Sequence, residues 1–177
     1  MSAAVIRDYL IADRDAVNAV ALAAFAQYAG DYDDWPAFSA GIARTADLAA
    51  DGDLLVAECA GRVVGAVVHV GPRRPRNAIY PDDWSVLRML VVDPVARGGG
   101  IGRALVAAAL RRAVAAGAPA VGLHTSPIMA AALRMYLSLG FVREHDLAPI
   151  RGVPYARYVL PSADIGTALE RLASSTT

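Results

Sequence analysis

The chain has 177 residues, of which 56% are hydrophobic and 19% charged, and its formal net charge at pH 7 is zero. This length fits one compact domain over residues 1–177, with a core at about 4–160 and a C-terminal extension at 161–177. No apolar run approaches the roughly 20 residues that span a bilayer, and the N-terminus lacks the basic and apolar regions of a secretory signal. A single cysteine, Cys59, excludes an internal disulfide framework. We therefore expect a cytoplasmic protein with no membrane contact.

The zero net charge hides an uneven distribution along the chain. Residues 1–53 hold nine aspartates and three arginines, whereas residues 94–143 hold six arginines and no acid. All 17 basic residues of the chain are arginines. The basic segment suits a polyanionic ligand. It has few aromatic residues for base stacking and no dispersed basic face, so we expect no nucleic-acid partner.

The hydrophobic pattern predicts alternating strands and helices in one series. Asp13 is the predicted N-cap of the first helix, and Ala60-Gly61 is the predicted turn of a hairpin. Gly117 and Gly140 are predicted to end two later helices. The predicted elements are strand 4–11, helix 13–28, a second helix ending near residue 50, strands 54–60, 62–70 and 87–92, helix 100–116, strand 120–125, helix 126–139, strands 141–144 and 156–160, and a short helix at 162–174.

A glycine-rich run after the strand at 87–92 is the most informative segment. Asp93-Pro94 ends that strand, and the chain then enters a helix through Arg97 and the four glycines of residues 98–102. Glycines leave backbone N–H groups uncovered at a helix N-terminus, where unsatisfied donors and the helix dipole favour an anion. Arg97 and Arg103 add positive charge on either side. The run predicts a pyrophosphate site.

Two common nucleotide-binding loops are excluded by residues that their chemistry requires. A Walker loop needs a lysine after its last glycine, and this chain has none. A dinucleotide fingerprint needs a third glycine or alanine, where this chain offers Arg103 or Leu105. It also needs an acid about 20 residues later, but no acid occurs between Asp93 and Glu144.

Arg97, Gly100 and Gly102 instead fit the R-x-x-G-x-G loop of acyl-CoA enzymes, after a strand that ends in Val-Asp-Pro. This stretch resembles motif A of the GNAT superfamily of N-acetyltransferases. Residues 132–141 resemble a second family segment, A-x-x-x-Y-x-x-x-G-F, and the element order over residues 4–160 is also that of the family. The resemblance implies an α/β fold with a mixed, mostly antiparallel sheet, two splayed parallel strands, and helices on both faces.

The resemblance also implies a donor substrate, acetyl-CoA, and no metal. The donor is expected between the strand that ends at Val92 and the strand that ends at Thr125. Tyr136 holds the position of the family's usual proton donor to the leaving thiolate. Arg97 is expected to flank the phosphates. The other expected donor-binding residues are Leu90, Val91 and Val92 for pantetheine, and Gly98, Gly99, Gly100, Ile101, Gly102 and Arg103 for the pyrophosphate.

Two positions depart from the family pattern. Many relatives place a glutamate near the start of the strand before the glycine loop, whereas residues 80–86 contain none. The general base therefore stays open between Asp82, Asp83, His124 and water. Met129 stands where an asparagine is often found seven residues before the tyrosine, so one customary hydrogen bond to the donor is in doubt.

The expected function is transfer of an acetyl group from acetyl-CoA to a primary amine of an unidentified small molecule or peptide. Tyr32, Trp35 and the aspartates between residues 31 and 34 could stack on and neutralise a cationic amine. The arginines of residues 73–76 argue the other way, for an anionic substituent on the acceptor. A non-catalytic acyl-CoA-binding regulatory module is the alternative. A homodimer and the use of longer acyl groups stay open.

Overall fold

A computed structural model of the protein describes residues 4–174. No helix within this part of the chain is long and apolar enough to cross a membrane. The strands are β1 (Val5–Asp8), β2 (Asp53–Cys59), β3 (Arg62–Val70), β4 (Ser85–Val92), β5 (Ala120–Thr125), β6 (Val142–Ile150) and β7 (Val153–Pro161). The helices are α1 (Arg14–Phe25), α2 (Trp35–Ile42), α3 (Ile101–Ala115), α4 (Ala130–Leu139) and α5 (Ser162–Ser174).

The seven strands form one sheet in the order β1-β2-β3-β4-β5-β7-β6. Neighbouring strands are antiparallel except β4 and β5, which are parallel. Leu105 of α3 and Ile165 of α5 are buried in the core on one face, and Val17 of α1 is buried on the other. The predicted fold class, a mixed and mostly antiparallel sheet with helices on both faces, is confirmed.

Several predicted turns form for the reasons that their residues indicate. Ala60 (φ 49°) and Gly61 (φ 76°) join β2 to β3, which matches a two-residue hairpin turn with positive φ at both positions. Gly117 (φ 67°) follows the end of α3, and Gly140 (φ 100°) follows the end of α4. Both glycines adopt the left-handed conformation that ends a helix at low steric cost.

The start of the first helix differs from its prediction. Asp13 precedes α1, but its side chain does not cap that helix. Its carboxylate instead accepts a hydrogen bond from Leu10 N (2.8 Å) and forms an ion pair with Arg7 (2.7 Å). The hydrogen bond from Arg7 lowers the pKa of Asp13. Arg7 donates to both carboxylate oxygens of Asp13 (2.7 and 2.9 Å), and this two-bond pairing decides where the side chain lies.

Helices α2 and α4 are also shorter than predicted. The hydroxyl of Thr45 donates to the carbonyl of Ile42 (2.8 Å), where α2 ends, and a 3₁₀ helix follows over Thr45–Ala50. At the start of α4, Met129 N donates to Ser126 O (3.0 Å) in a turn, and the helix begins at Ala130 rather than Ser126.

The last two strands are longer than predicted. Strands β6 and β7 pair from Val142↔Val159 to Ile150↔Val153. From sequence alone, the prolines in this stretch favour a loop. Strand β6 lies at the edge of the sheet, next to β7. An edge strand tolerates Pro149 because one side of its backbone has no strand partner to lose.

Candidate active site

Strands β4 and β5 separate soon after they meet. Their only paired positions are Ser85↔Val121 and Val86↔Gly122. Beyond them β5 continues to pair with β7 through Thr125, whereas no neighbour pairs with β4 on its β5 side. The backbone of Leu87–Val92 therefore offers hydrogen-bonding groups toward an open gap, as an added strand would require. Residues 90–92, the predicted pantetheine contacts, lie on this edge.

A β-bulge coincides with the point where β4 turns away from β5. Ala66 of β3 pairs with Val91 and Val68 pairs with Arg88, so β4 carries one more residue than β3 between these pairs. Met89 lies there with a φ of 51°, which is unusual for a residue with a side chain. A bulge bends and twists its strand. We attribute the separation of the two strands to it, and no residue in the sequence signals it.

A tight turn connects β4 to α3. The carboxylate of Asp93 accepts from Val95 N (3.1 Å), and its carbonyl accepts from Ala96 N (2.9 Å). Gly98 and Gly100 then adopt positive φ values of 86° and 76°. These conformations bring the chain round into the first turn of α3, as the glycines predict.

The backbone of this loop is open to a ligand. The first hydrogen bond of α3 runs from Ala104 N to Gly100 O. The N–H groups of residues 101–103 come before it in the chain and therefore have no carbonyl partner within the helix. A Cβ atom at Gly98, Gly99 or Gly100 would meet nothing within 4 Å. Exposed donors at a helix start, next to the open edge of β4, fit a pyrophosphate with an attached extended chain.

The two arginines that flank the loop are held by backbone carbonyls. The Arg97 guanidinium donates to Val92 O (3.4 Å) and to Ala24 O of α1 (3.3 Å). The Arg103 guanidinium donates to Arg171 O of α5 (2.8 Å). Both side chains thus join the loop to neighbouring helices while they place positive charge beside it.

Tyr136 lies on α4 and lines a cavity of about 160 Å³ at the gap. It is 6% exposed, and its ring meets the edge of Phe141 at 5.6 Å between centroids. Burial raises the pKa of Tyr136, which keeps its hydroxyl protonated near neutral pH. The spacing that predicted this residue also places Ala132 one turn earlier on the same wall.

The cavity is mostly apolar. Of the described residues that line it, Arg88 alone has a formal charge at neutral pH. No aspartate or glutamate is among them. The lining residues are Phe25, Phe38, Ile42, Leu87, Arg88, Met89, Leu90, Leu123, His124, Thr125, Met129, Ala132, Tyr136, Ile150 and Tyr155.

His124 lines the same cavity and is paired with a tyrosine that sequence reasoning missed. Tyr80 Oη lies 2.7 Å from His124 Nδ1, and Tyr80 is only 4% exposed. Burial lowers the pKa of His124 to about 4, so its imidazole is neutral at pH 7. Tyr80 packs over Gly122, where a Cβ would lie 2.7 Å from the tyrosine ring. Nothing in the sequence connects these residues, because 44 positions separate Tyr80 from His124.

The other two candidate bases, Asp82 and Asp83, and the remaining histidines do not line the cavity. Asp82 and Asp83 are exposed in the loop before β4. His69 is buried elsewhere, with Nδ1 at 3.2 Å from Asp53 and Nε2 at 2.9 Å from Ser85. His145 is exposed on β6. The structure therefore brings only His124, of the proposed side-chain bases, beside Tyr136.

The aromatic and acidic residues between α1 and α2 hold the wall of the cavity. Tyr32 Oη lies 2.6 Å from Tyr155 Oη on β7, and the Tyr32 ring stacks on Phe38 at 3.9 Å. Asp34 caps α2 by accepting from the N–H of residue 37 (3.1 Å) and pairs with Arg151 (2.9 Å). Since no acid of this loop reaches the cavity lining, these acids do not provide the predicted neutralisation of an amine there.

The arginine-rich loop at 73–76 lies away from the cavity beside Tyr136. Arg76 donates to the carbonyls of Gly71 and Trp84, and Arg74 donates to the carbonyl of Asp51 (3.2 Å). The loop lines a different cavity of about 450 Å³, near the C-terminus of α3. Within residues 4–174 no group of three or more His, Cys, Asp or Glu side chains is arranged to hold a metal ion.

The sheet order and its splayed parallel pair are those of an acyltransferase fold, and comparison with known proteins identifies the family. Residues 16–141, well over half of the chain, match the model of the Acetyltransferase (GNAT) family. The chain belongs to this family of acetyltransferases.

Two curated relatives are mycothiol acetyltransferases. The protein of Thermomonospora curvata is 37% identical over 90 residues, which cover 51% of this chain and 28% of the relative. The protein of Amycolatopsis mediterranei is 48% identical over 52 residues, which cover 29% of this chain and 17% of the relative. This chain thus matches less than a third of the length of either relative.

Solved structures share the fold over nearly their whole length. An N-acetyltransferase from Staphylococcus aureus superposes with a TM-score of 0.70 at 20% identity, covering 91% of this chain and 99% of the other. A Salmonella typhimurium protein solved with its cofactor acetyl-CoA has a TM-score of 0.66 at 22% identity, covering 91% and 95%. At such identities the likeness concerns the fold alone.

Proposed function

We propose that the protein transfers an acetyl group from acetyl-CoA directly to a primary amine of a small molecule or peptide. The observation that carries this proposal is the open edge of β4, which runs into the glycine loop with Tyr136 beside the gap. A cytoplasmic location belongs to the same proposal. So does the lack of nucleic-acid and membrane partners.

The donor would be held mainly by backbone. The N–H groups of residues 98–103 would bind the pyrophosphate, with Arg97 adding charge at the loop. The open backbone groups of residues 90–92 would pair with the pantetheine amides as a neighbouring strand would. Because Met129 replaces a customary asparagine, the donor relies on these backbone contacts all the more.

The chemistry requires one bond to form and one to break. The amine nitrogen bonds to the thioester carbonyl carbon, the carbon–sulfur bond breaks, and the leaving sulfur takes a proton that the Tyr136 hydroxyl can supply. Burial raises the pKa of Tyr136, and it would raise the pKa of the leaving thiol in the same way. The difference between the two pKa values, which drives the proton transfer, therefore changes little. The tyrosine regains its proton from the water that receives the amine proton.

The acceptor amine would enter as its neutral form. No carboxylate lines the cavity, and His124 with a pKa of about 4 is a weak base. Apolar walls disfavour an ammonium ion and so lower the pKa of the bound amine. Water is therefore our choice among the four bases that the sequence left open.

Two measurements test this proposal. Calorimetry should detect acetyl-CoA binding at micromolar concentration, and absence of binding at high micromolar donor would contradict it. A panel of amines assayed for CoA thiol release should include at least one acceptor with release above the rate of hydrolysis. Binding without transfer to any amine would favour the non-catalytic acyl-CoA-binding module instead.

A further inference from the structure

Arg88 is a charged side chain without a protein partner inside the cavity. It is half-buried on β4, and no side chain or carbonyl within residues 4–174 forms an ion pair or hydrogen bond with its guanidinium. By contrast, Arg74, Arg97 and Arg103 donate to backbone carbonyls, and Arg151 pairs with a carboxylate. Partial burial of an unpaired charge costs free energy, so a group of opposite charge is the natural occupant of the space beside Arg88.

His124 and Arg88 line the same cavity from the same face of the sheet. Val86 pairs with Gly122, and Arg88 and His124 are each two residues further along their parallel strands. Side chains two residues apart on a strand point to the same face. The positive charge of Arg88 contributes to lowering the pKa of His124, which is consistent with their proximity.

Tyr80 makes His124 a hydrogen-bond donor toward the cavity. Tyr80 is buried, and within the described chain its hydroxyl has one hydrogen-bond partner, His124 Nδ1. The hydroxyl hydrogen therefore goes to Nδ1, which leaves the single proton of the neutral imidazole on Nε2. Nε2 has no protein partner within residues 4–174 and is not sealed from solvent.

The cavity thus offers a guanidinium and an imidazole N–H, with apolar walls and no acid. We propose that the acceptor carries a carboxylate, bound by Arg88 and His124 Nε2–H, on an apolar body that packs against Phe25, Phe38 and Ile150. This inference rests on the proposed function, and it names the class of acceptor. One arginine charge balances a monoanion, which favours a carboxylate over a phosphate dianion.

The phosphates of the donor do not occupy this place. Arg88 precedes the bulge, about 13 Å along the strand from Val92 at ordinary strand rise, and the glycine loop begins beyond Val92. The anion that binds Arg88 must therefore belong to another molecule.

Non-reactive probes test the carboxylate site without any turnover. Three acids, namely butanoate, 4-methylpentanoate and 3-phenylpropanoate, are each compared with the matching amide by calorimetry on the protein saturated with CoA. We expect at least one acid to bind at least 10-fold more tightly than its amide. Arg88→Gln should remove that preference, whereas Arg134→Gln, which removes an exposed arginine of α4, should keep it. Equal binding of every pair, or a preference that survives in Arg88→Gln, overturns the proposal.

The tautomer of His124 is a second, independent readout. The chain has three histidines, so ¹⁵N NMR with single His→Gln variants assigns each ring. We expect the Nε2–H form for His124 in the wild type and a rise of the Nδ1–H form in Tyr80→Phe. An Nδ1–H form in the wild type would make His124 an acceptor and contradict the donor pair.

The outcomes separate this inference from the proposed function. Tight binding of an acid without acetyl transfer to any amine would leave the carboxylate site standing and remove the transferase proposal. Equal transfer to amines with and without a carboxylate would leave the transferase proposal standing and remove this one.

Discussion

The two sides of the gap are built from different parts of the chain. On the proposed donor side, one continuous segment, residues 90–103, forms the open edge of β4 and the glycine loop, and a Cβ at Gly98, Gly99 or Gly100 would meet nothing within 4 Å. On the acceptor side, the cavity is lined by side chains from both helical layers and four separate strands. Arg88 and His124 line this cavity and Tyr80 contacts His124, and the three side chains meet only in the folded protein.

This difference has a consequence for what each side can bind. Backbone N–H groups recognise the same anion whatever the neighbouring side chains are, so the donor site depends on conformation. The acceptor site depends on which side chains meet, and a change in any contributing element alters it.

Tyr136 lies between the two sides, and its replacement should give the largest effect. We expect Tyr136→Phe to lower turnover about 100-fold or more, because the leaving thiolate loses its proton donor. The affinity for acetyl-CoA should stay within about twofold, since the donor is held by backbone. Tyr158→Phe, a change in another buried tyrosine outside the cavity, is the matched control. Steady-state kinetics and calorimetry check both, and unchanged turnover in Tyr136→Phe would refute the acid role.

Acid should lower the free energy of unfolding, because His124 in the cavity has a lowered pKa in the folded protein. In the unfolded chain this histidine has a pKa of 6.5, and in the folded protein burial lowers the pKa to about 4. Between these values the unfolded chain binds a proton that the folded protein does not, so the free energy of unfolding falls as pH falls. From pH 7 to pH 5 we expect a loss of about 2 kcal/mol from this group.

Urea unfolding of the wild type and of His124→Gln at both pH values isolates that contribution. His69 has a lowered pKa too and acts in the same direction, so the quantity to compare is the difference between the two proteins. His145→Gln, at an exposed site, should behave like the wild type. The same pH dependence in His124→Gln as in the wild type would show that His124 titrates normally in the folded protein.

Two glycines at opposite ends of α3 test the donor side. Gly100 (φ 76°) and Gly117 (φ 67°) are both left-handed and both open around the missing Cβ. Alanine at either should destabilise the fold by about 1 kcal/mol because of backbone strain. Only Gly100→Ala should weaken acetyl-CoA binding, by about 10-fold or 1.4 kcal/mol, because its Cβ would enter the open space through which the pyrophosphate approaches the backbone. Equal donor affinity in the two variants would remove the loop from the pyrophosphate site.

The conformation of the glycine loop and the place of Tyr136 on α4 could be predicted from sequence because their signals are local. The glycines that turn the chain, Asp93-Pro94 that ends the strand, and the tyrosine spacing on α4 all act within a few residues. Even here one cause was invisible: the bulge at Met89 involves a residue with no preference for positive φ. Tertiary pairing with β3 imposes it.

The acceptor side could not be predicted, for a physical reason. Tyr80 lies in a proline-bearing loop that is held by residues far along the chain: its hydroxyl contacts His124 Nδ1, and Arg157 donates to the carbonyl of Ile79. The aspartates between α1 and α2 have the composition of an amine site, but one of them caps a helix and pairs with Arg151. Composition shows which groups are available, whereas their partners depend on the fold.

The hydroxyl pair of Tyr32 and Tyr155 gives the smallest predicted effect. It also tests most directly how far the cavity depends on contacts between distant segments of the chain. The two oxygens lie 2.6 Å apart, and this contact joins the segment after α1 to β7 across 123 positions of sequence. Each single change to phenylalanine should cost about 1 kcal/mol of unfolding free energy, and the double variant should cost less than the sum. Acceptor KM should rise in all three variants, because Tyr155 lines the cavity, while acetyl-CoA affinity stays unchanged. A fall in acetyl-CoA affinity together with the rise in acceptor KM would show that the same contacts hold both sides of the gap.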